Sequence, residues 1–441
     1  MKIWNIYIDK NRIRKYVHRI ISNFFINPVM YPVYALSHLM PRDKNLWVCG
    51  IPRKFVWNSK YVFLEANNQK RKDIKVVWIT RSRKIARELR SRGYPAHFWL
   101  SWQGIWYPLR SGCHIIDASI ETINFWLSGS AKIALIWHGI PLKKIAQDVD
   151  KGKSLDVSLH RARGLQQLLL RYLLPWRFVK PDYIFTTSPT FQKLSASPFR
   201  VRADQVFVAG FPKNDIYFTD IPGADVGADA GVLTKLRALK ARQSSQKTIL
   251  YAPTWRDTGG DSFFEKSEDL ANLDEFLSRE NLLFFLKLHP LAQAPYNNKL
   301  YTGQAKAAAV WKGKEYKNIL FVSPDSDADP LLPFMDMLVT DYSGIYFEFL
   351  LLDRPIIFFP FDYEKYVTQD RELYFDYDAV TPGPKAHTLH ELMGALKTIS
   401  DGKDEYREVR KKVLDMSYQY QDGKSAQRVC DLLLRLLHAE E

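Results

Sequence analysis

Short apolar runs recur along the chain, each closing on a small or polar residue and each followed by a stretch with helical spacing. "NLWVCG" (Asn45 to Gly50), "IKVVWIT", "SGCHIIDAS" and "KIALIWHG" have the length of buried strands. Between them "SKYVFLEANNQ" has a helical pattern, and "SRKIARELRSRG" predicts a basic helix stopped by Gly93. The alternation resumes with "DYIFTTSP", "DQVFVAGFPKND", "KTILYAPTWRD", "LLFFLKLHP", "NILFVSP", "DMLVTDYSG" and "PIIFFP". Strands alternating with helices at this spacing predict βαβ units and parallel sheets covered on both faces. The expected class is α/β, with two Rossmann-like domains facing one another across a cleft. The boundary is expected near Phe199–Gln205, giving domains over 41–202 and 203–388. The helices of 389–441, "LHELMGALKTISD" and "AQRVCDLLLRLLHA", are expected to cross back to the first domain.

Two segments break the alternation. "RARGLQQLLLRYLLPWRFVKPD" places Leu165, Leu168, Leu169, Tyr172, Leu173 and Trp176 at helical spacing among Arg161, Arg163, Arg171, Arg177 and Lys180. It is either a core helix or a helix on anionic lipid, with Trp176 and Phe178 at the interface. "IISNFFINPVMYPVYALSHLM" (Ile20 to Met40) has the length of a membrane span, but Asn23, Asn27, Pro28, Pro32 and His38 interrupt it. An interfacial segment led in by Arg12, Arg14, Lys15 and Arg19 fits better, so residues 1–40 are expected to be a basic amphipathic membrane-associating segment.

Charge sharpens this picture. Of 441 residues, 1–200 carry 34 Lys/Arg and 11 Asp/Glu, whereas 201–441 carry 29 and 37, so the formal net of +15 sits in the first half. One half should seek a polyanionic surface. An RRM-, KH- or zinc-type motif is missing from it, which argues against nucleic acid as a partner. No secretory leader pattern is evident at the start of the sequence. Three scattered cysteines, with no CxxC or Cys/His pairing, argue for a reducing compartment and against a structural zinc.

Candidate chemistry clusters at predicted strand ends, where such sheets bind ligands. In "VTDYSGIYFEF" a helix follows a small, hydroxylated turn, and a helix start leaves amide N–H groups for an anion. Thr340, Asp341, Ser343 and Gly344 are therefore candidate donor-binding residues, with Glu348 one turn further on facing ribose hydroxyls. The bland alternative is a capped helix. No Walker A loop or GxGxxG is present, so an ATPase or dinucleotide function has no motif behind it. His138 in "WHGIPLKK" and His289 in "KLHP" supply one imidazole per domain, suited to a base and to phosphate stabilisation. Arg256 and Asp257 in "PTWRD" add a guanidinium and a carboxylate, and Lys287 precedes His289.

"WHGIPLKKI", "YAPTWRD", "KLHP", "VTDYSGIYFEFLLLDRPIIFF" followed by "YEKY", and "RELYFDYDAVTPGP" occur in that order. Over roughly residues 130–390 the chain resembles the CDP-glycerol glycerophosphotransferase family of teichoic acid and capsule primases and polymerases. The resemblance implies a GT-B-like enzyme, peripheral at the cytoplasmic face of the membrane, without metal or cofactor. It would move glycerol phosphate or ribitol phosphate from CDP-glycerol or CDP-ribitol to a hydroxyl of a lipid-linked or polymeric acceptor, releasing CMP. The catalytic residues it implies are His138, His289 and Asp257. The donor contacts are Arg256, Lys287, Thr340, Asp341, Ser343, Gly344, Glu348 and Arg371. Read from charge and apolar patterning, the expected membrane contacts are Arg12, Arg14, Lys15, Arg19, Arg171, Trp176 and Arg177. The chain departs from the family pattern at Gly344, where a second serine is usual, at Glu348, where aspartate is usual, and at Ile140, where threonine is usual. A GT-B glycosyltransferase using a nucleotide sugar is the alternative enzyme, and a homo-oligomer is left open.

Overall fold

The computed structural model describes residues 10–149, 162–256, 263, 267–288, 309–311 and 314–439. Asp257 and His289 lie outside the described residues, as do the side chains of Arg12, Arg14, Lys15 and Arg19. The chain divides into two compact units, one of residues 1–138, 145–226 and 422–441, the other of residues 139–144 and 227–421.

The first unit opens with helix α1 (Lys10–Ser37), which runs through Pro28 and Pro32. Then come β1 (Asp43–Cys49), α2 (Trp57–Asn68), β2 (Lys75–Thr80), α3 (Arg83–Ser91), β3 (Ala96–Phe98), α4 (Trp102–Arg110), β4 (Ser111–Ile116) and β5 (Lys132–Leu135). Helix α5 (Gly164–Leu173), β6 (Tyr183–Thr186), α6 (Pro189–Phe199) and β7 (Val206–Val208) follow. All seven strands lie parallel in the order β3-β2-β1-β4-β5-β6-β7. Central strands are apolar on both faces because helices cover both, and Val48, pairing with Val77 and with His114, is fully buried. The expected boundary at 202/203 is corrected: Val206 pairs with Ile184, so β7 closes the first sheet and the units part at Val226/Gly227. Lys60, buried, donates from Nζ to the carbonyls of Ala224 (2.6 Å) and Val226 (3.0 Å) and holds the end of the segment to this unit.

The second unit contains α7 (Ala230–Ala241), β8 (Lys247–Tyr251), α8 (Ser267–Arg279), β9 (Leu282–Leu286), a hairpin of β10 (Ala309–Trp311) and β11 (Lys314–Tyr316), β12 (Ile319–Phe321), β13 (Met337–Thr340), α9 (Ile345–Leu350), β14 (Ile356–Phe358), α10 (Leu389–Ser400) and α11 (Arg407–Ser417). Its main sheet is parallel in the order β12-β9-β8-β13-β14. Tyr251, Phe284, Val339 and Ile357 pack there with Leu273 of α8 and Leu392 of α10. The six-residue piece 139–144 belongs here too. Leu142 O accepts from Tyr374 N, Lys144 N donates to Glu372 O (both 2.9 Å), and Ile140 and Leu142 are buried.

The last helix, α12 (Ser425–His438), belongs to the first unit and packs on α2. Its first turn is capped from a distance: Asp215 accepts from Ser425 N (2.9 Å) and Ala426 N (2.8 Å). In each sheet the strand order reverses between the first and fourth strands, at β1/β4 and at β8/β13, where ligands of open α/β sheets bind.

Candidate functional site

His138 lies three residues beyond the end of β5, at the carboxyl edge of the first sheet. Its Nδ1 lies 3.1 Å from the backbone carbonyl of Asp117, which can only accept, so Nδ1 carries the proton and, in the neutral ring, Nε2 the lone pair. Trp57 stacks on the ring at 5.0 Å between centroids and Trp137 packs at 4.4 Å. Lys213, buried, donates from Nζ to the His138 carbonyl (3.0 Å). Both tryptophans adopt left-handed φ, +70° at Trp57 and +65° at Trp137. Bulky residues reach that region only under constraint, at a cost on the order of 1–3 kcal/mol each.

The constraint is a small polar network. Asn58 Nδ2 donates to Trp137 O (2.8 Å), and Asn58 Oδ1 accepts from Lys213 N (3.0 Å). Asp117, fully buried at the end of β4, accepts from Ser59 N (2.9 Å) and from the Ser59 hydroxyl. Burial pushes its carboxyl up to about 7, against the opposing pull of the Ser59 hydrogen bonds and the Lys213 charge. Sequence reasoning missed Trp57, Asn58, Ser59, Asp117 and Lys213. The available signal was an aspartate closing the buried run "CHIID".

In the second unit the turn after β13 meets the segment after β8. Asp341 Oδ1 accepts from Thr254 N (2.8 Å) and Tyr342 N (2.6 Å), and Oδ2 pairs with Arg256 Nη1 at 2.5 Å. Arg256 also grips Asp362 through Nε (2.9 Å) and Nη2 (2.7 Å), and its guanidinium lies over Tyr342, Phe361 and Tyr366 at 5.1–5.5 Å. The Tyr342 and Tyr366 rings stack at 3.9 Å, and Tyr377 donates to the Asp341 carbonyl (3.1 Å).

Several expectations are corrected here. Arg256 is wholly buried and enclosed by two carboxylates and three rings, so it braces the turn rather than presenting a guanidinium to phosphate. Asp341 is its buried counter-ion. Thr340 commits its one hydroxyl proton to Ala252 O (2.7 Å), and Glu348 is buried inside α9. Lys287 Nζ donates to the carbonyls of Ser323 (3.0 Å) and Pro324 (3.3 Å). Ser343 and Gly344 are half-buried at the tip of the turn. A Cβ on Gly344 would lie 2.4 Å from the carbonyl oxygen of Ile140, so the glycine is required by that backbone. Arg371, half-buried, follows a π-helical turn (Tyr366–Asp370). Tyr363, Glu372, Phe375, Asp376 and Tyr377, close to Arg371 in the chain, line with Lys144 a shallow groove of about 330 Å³. Among the described residues no three His, Cys, Asp or Glu side chains gather as a metal site.

The two irregular segments of the first unit pack together. Asn27 donates to Tyr172 O (2.6 Å), Tyr31 donates to the same carbonyl (3.0 Å), and the Tyr31 and Tyr172 rings stack. Phe24, Phe25, Ile26, Val29 and Leu36 of α1 are exposed, as are Leu165, Leu168 and Leu169 of α5, with Arg171 and Arg177 exposed nearby. Trp176 is different. It is 7% exposed and packs edge-on to Phe125 and Trp126, so it is a core residue and not an interfacial one. No helix among the described residues is long and apolar enough to cross a membrane.

A family model described as CDP-Glycerol:Poly(glycerophosphate) glycerophosphotransferase matches residues 33–435. The teichoic acid glycerol-phosphate transferase of Staphylococcus aureus is 29% identical over 317 residues, covering 70% of this chain and 73% of that protein. The teichoic acid poly(glycerol phosphate) polymerase of Bacillus spizizenii is 26% identical over 91% of this chain and 95% of its own length. The S. aureus ribitol-phosphate polymerase TarK is 25% identical over 94% of this chain and 72% of its own length. The solved structure of the wall teichoic acid polymerase TagF superposes with a TM-score of 0.69 at 21% identity, covering 98% of this chain and 99% of that one.

Proposed function

Because the chain belongs to the CDP-glycerol:poly(glycerophosphate) glycerophosphotransferase family, we propose that it transfers a polyol phosphate from a CDP-linked donor to an acceptor hydroxyl, with His138 as base and the Ser343–Gly344 turn as the donor's phosphate seat. The observation that carries this is a continuity of chain. Two residues beyond the fixed imidazole of His138, the Ile140 backbone packs on Gly344.

The acceptor oxygen attacks the β-phosphorus of the donor. A new O–P bond forms, the bond from that phosphorus to the bridging oxygen breaks, and CMP leaves with the electron pair. The acceptor proton passes to His138 Nε2, the nitrogen that the Asp117 carbonyl leaves unprotonated. Such a step depends on positioning and charge stabilisation. The amides of the Ser343–Gly344 turn, Arg371 and His289 supply these, while Arg256 and Asp341 keep the turn in shape. Asp376 and the Lys144–Glu372 ion pair (2.8 Å) line the groove and give it a polar wall suited to a polyol. The exposed apolar faces of α1 and α5, flanked by Arg171 and Arg177, support peripheral attachment to an anionic membrane surface, where a lipid-linked acceptor would reside.

The test is CMP release from a panel of CDP-glycerol, CDP-ribitol and nucleotide sugars in the presence of a lipid-linked acceptor. His138→Ala is expected to lower turnover at least about a hundredfold, with an unchanged far-UV circular dichroism spectrum. Near-normal CMP release from this variant would remove His138 from the mechanism.

A further inference from the structure

We infer that the carboxyl edge of β1, β2 and β3 is a binding track for the phosphate-bearing chain of the acceptor, built on Arg53, Arg81 and Arg83 with Trp99 and Trp102. This rests on the transferase function proposed above and adds to it where a growing product is held. The segments leaving these strands and running into the first turns of α2, α3 and α4, residues 50–57, 81–87 and 99–102, contain six Lys/Arg and no Asp/Glu. They leave the same edge of the sheet as Asp117 and His138. Neighbouring strands lie about 4.8 Å apart, so the end of β2 is three strand spacings, about 14 Å, from the end of β5 that carries His138. A chain crossing the edge from β3 toward β5 would pass the arginines before reaching the imidazole.

Two features separate this surface from an ordinary solvated face. The Arg81 guanidinium lies over the Trp99 ring at 4.8 Å and that of Arg83 over the Phe98 ring at 4.7 Å. A ring against the face of a guanidinium restricts its motion and leaves the in-plane N–H groups as the donors, the groups that pair with phosphate oxygens. Arg81 spends part of that edge on Glu121 O (3.3 Å), whereas Arg53 and Arg83 make no hydrogen bond or ion pair with another described residue. Some basic residues elsewhere in this unit are paired, as Arg71 is with Asp73 and Asp431, and Arg92 with Asp225. Second, Trp102 (70% exposed) and Trp106 (40%) stack on each other at 5.6 Å beside an exposed Leu100. Exposed aromatic area of this kind marks a contact surface, and flat rings suit the C–H faces of a polyol. The complementary occupant is a repeating polyol phosphodiester, with one negative charge per repeat.

The experiment uses the full-length protein on vesicles, with synthetic glycerol-phosphate acceptors of two and of eight units, and the double variant R53Q/R83Q. The expected result is an increase of about tenfold or more in KM for the octamer, as for a few lost charge contacts. KM for the dimer, KM for the CDP-linked donor and kcat should stay within about twofold. Anisotropy of a labelled octamer should weaken in parallel, with a shallower salt dependence. Equal KM changes for dimer and octamer would overturn the track. So would loss of phosphatidylglycerol vesicle binding with octamer binding intact, since the arginines would then serve the bilayer. If the unaltered protein released no CMP, the transferase function would fall while octamer anisotropy would still decide whether the track binds a polyol phosphate chain.

Discussion

Asp117 and Asp341 occupy equivalent places in their units. Each follows the fourth strand of a doubly wound sheet and accepts backbone N–H groups from the segment after the first strand, Ser59 in one case and Thr254 in the other. A buried carboxylate is tolerated there because several donors converge on it, and the two differ in what completes the shell. Asp341 has the Arg256 guanidinium, whereas Asp117 has the Ser59 hydroxyl, the backbone amides of Ser59 and Asn58 and the more distant charge of Lys213. With the Asp117 carboxyl pushed up to about 7, the native protein binds that proton more tightly than the unfolded chain, whose carboxyl titrates near 4. Asp117 thus contributes stability that is fully present below about pH 4 and is lost as pH rises toward 7. Asp117→Asn, which can keep both hydrogen bonds to Ser59, is expected to flatten this part of the profile. Thermal melts from pH 4 to 8 should show a smaller loss of Tm with rising pH in the variant, and parallel profiles would refute the assignment. Gly344 offers a second test at this scale. Installing the serine that the family pattern carries there puts Cβ against the Ile140 carbonyl. Gly344→Ser is expected to cost about 1–3 kcal/mol in denaturant unfolding and to slow CMP release, rather than to gain a phosphate ligand.

At the scale of elements, the attachment of α12 is the sharpest dependence. Its first two amides are satisfied by Asp215, more than two hundred residues earlier, and burial pushes that carboxyl up to about 6. Gly210 approaches Ser425 so closely that a Cβ would lie 2.4 Å from its hydroxyl oxygen. Asp215→Ala removes both charge-assisted bonds and is expected to cost about 2–3 kcal/mol. Hydrogen exchange should show the loss concentrated in 425–438 and in α2, which packs on it. Uniform loss across the chain would contradict a local anchor. The elements themselves were largely legible, because period-2 and period-3.6 patterns identify strands and helices without tertiary information. The ownership of β7 was not. "DQVFV" is an apolar strand in either sheet, and only its hydrogen bonds to β6 decide which.

For the whole molecule, charge divides with the units: the first carries 37 Lys/Arg against 19 Asp/Glu, the second 26 against 29. Basic surface and exposed apolar side chains thus occur in the same unit, the combination expected of a protein that docks on anionic lipid. Leu165→Ser with Leu168→Ser is expected to reduce co-sedimentation with phosphatidylglycerol vesicles several-fold, roughly as the burial of two leucines would predict, while Tm stays unchanged. Unchanged vesicle binding would place the contact elsewhere. Trp176, which the sequence pattern grouped with those leucines, is packed on Phe125 and Trp126 and would affect stability instead.

The amino-acid sequence by itself determined the α/β class, the strand-end placement of His138 and the Ser343–Gly344 turn, and the family, because periodicity and local motifs are encoded over short spans of chain. The tertiary structure alone decided which charged groups face outward and which are consumed inside. Arg256 looked like a phosphate ligand in "PTWRD" and is caged by Asp341 and Asp362, while Asp117 drew no notice in "HIIDAS" and supports the ring of His138. A motif names the side chain, but the partners that neutralise or orient it come from segments tens to a hundred residues away, and only folding brings them within hydrogen-bonding distance.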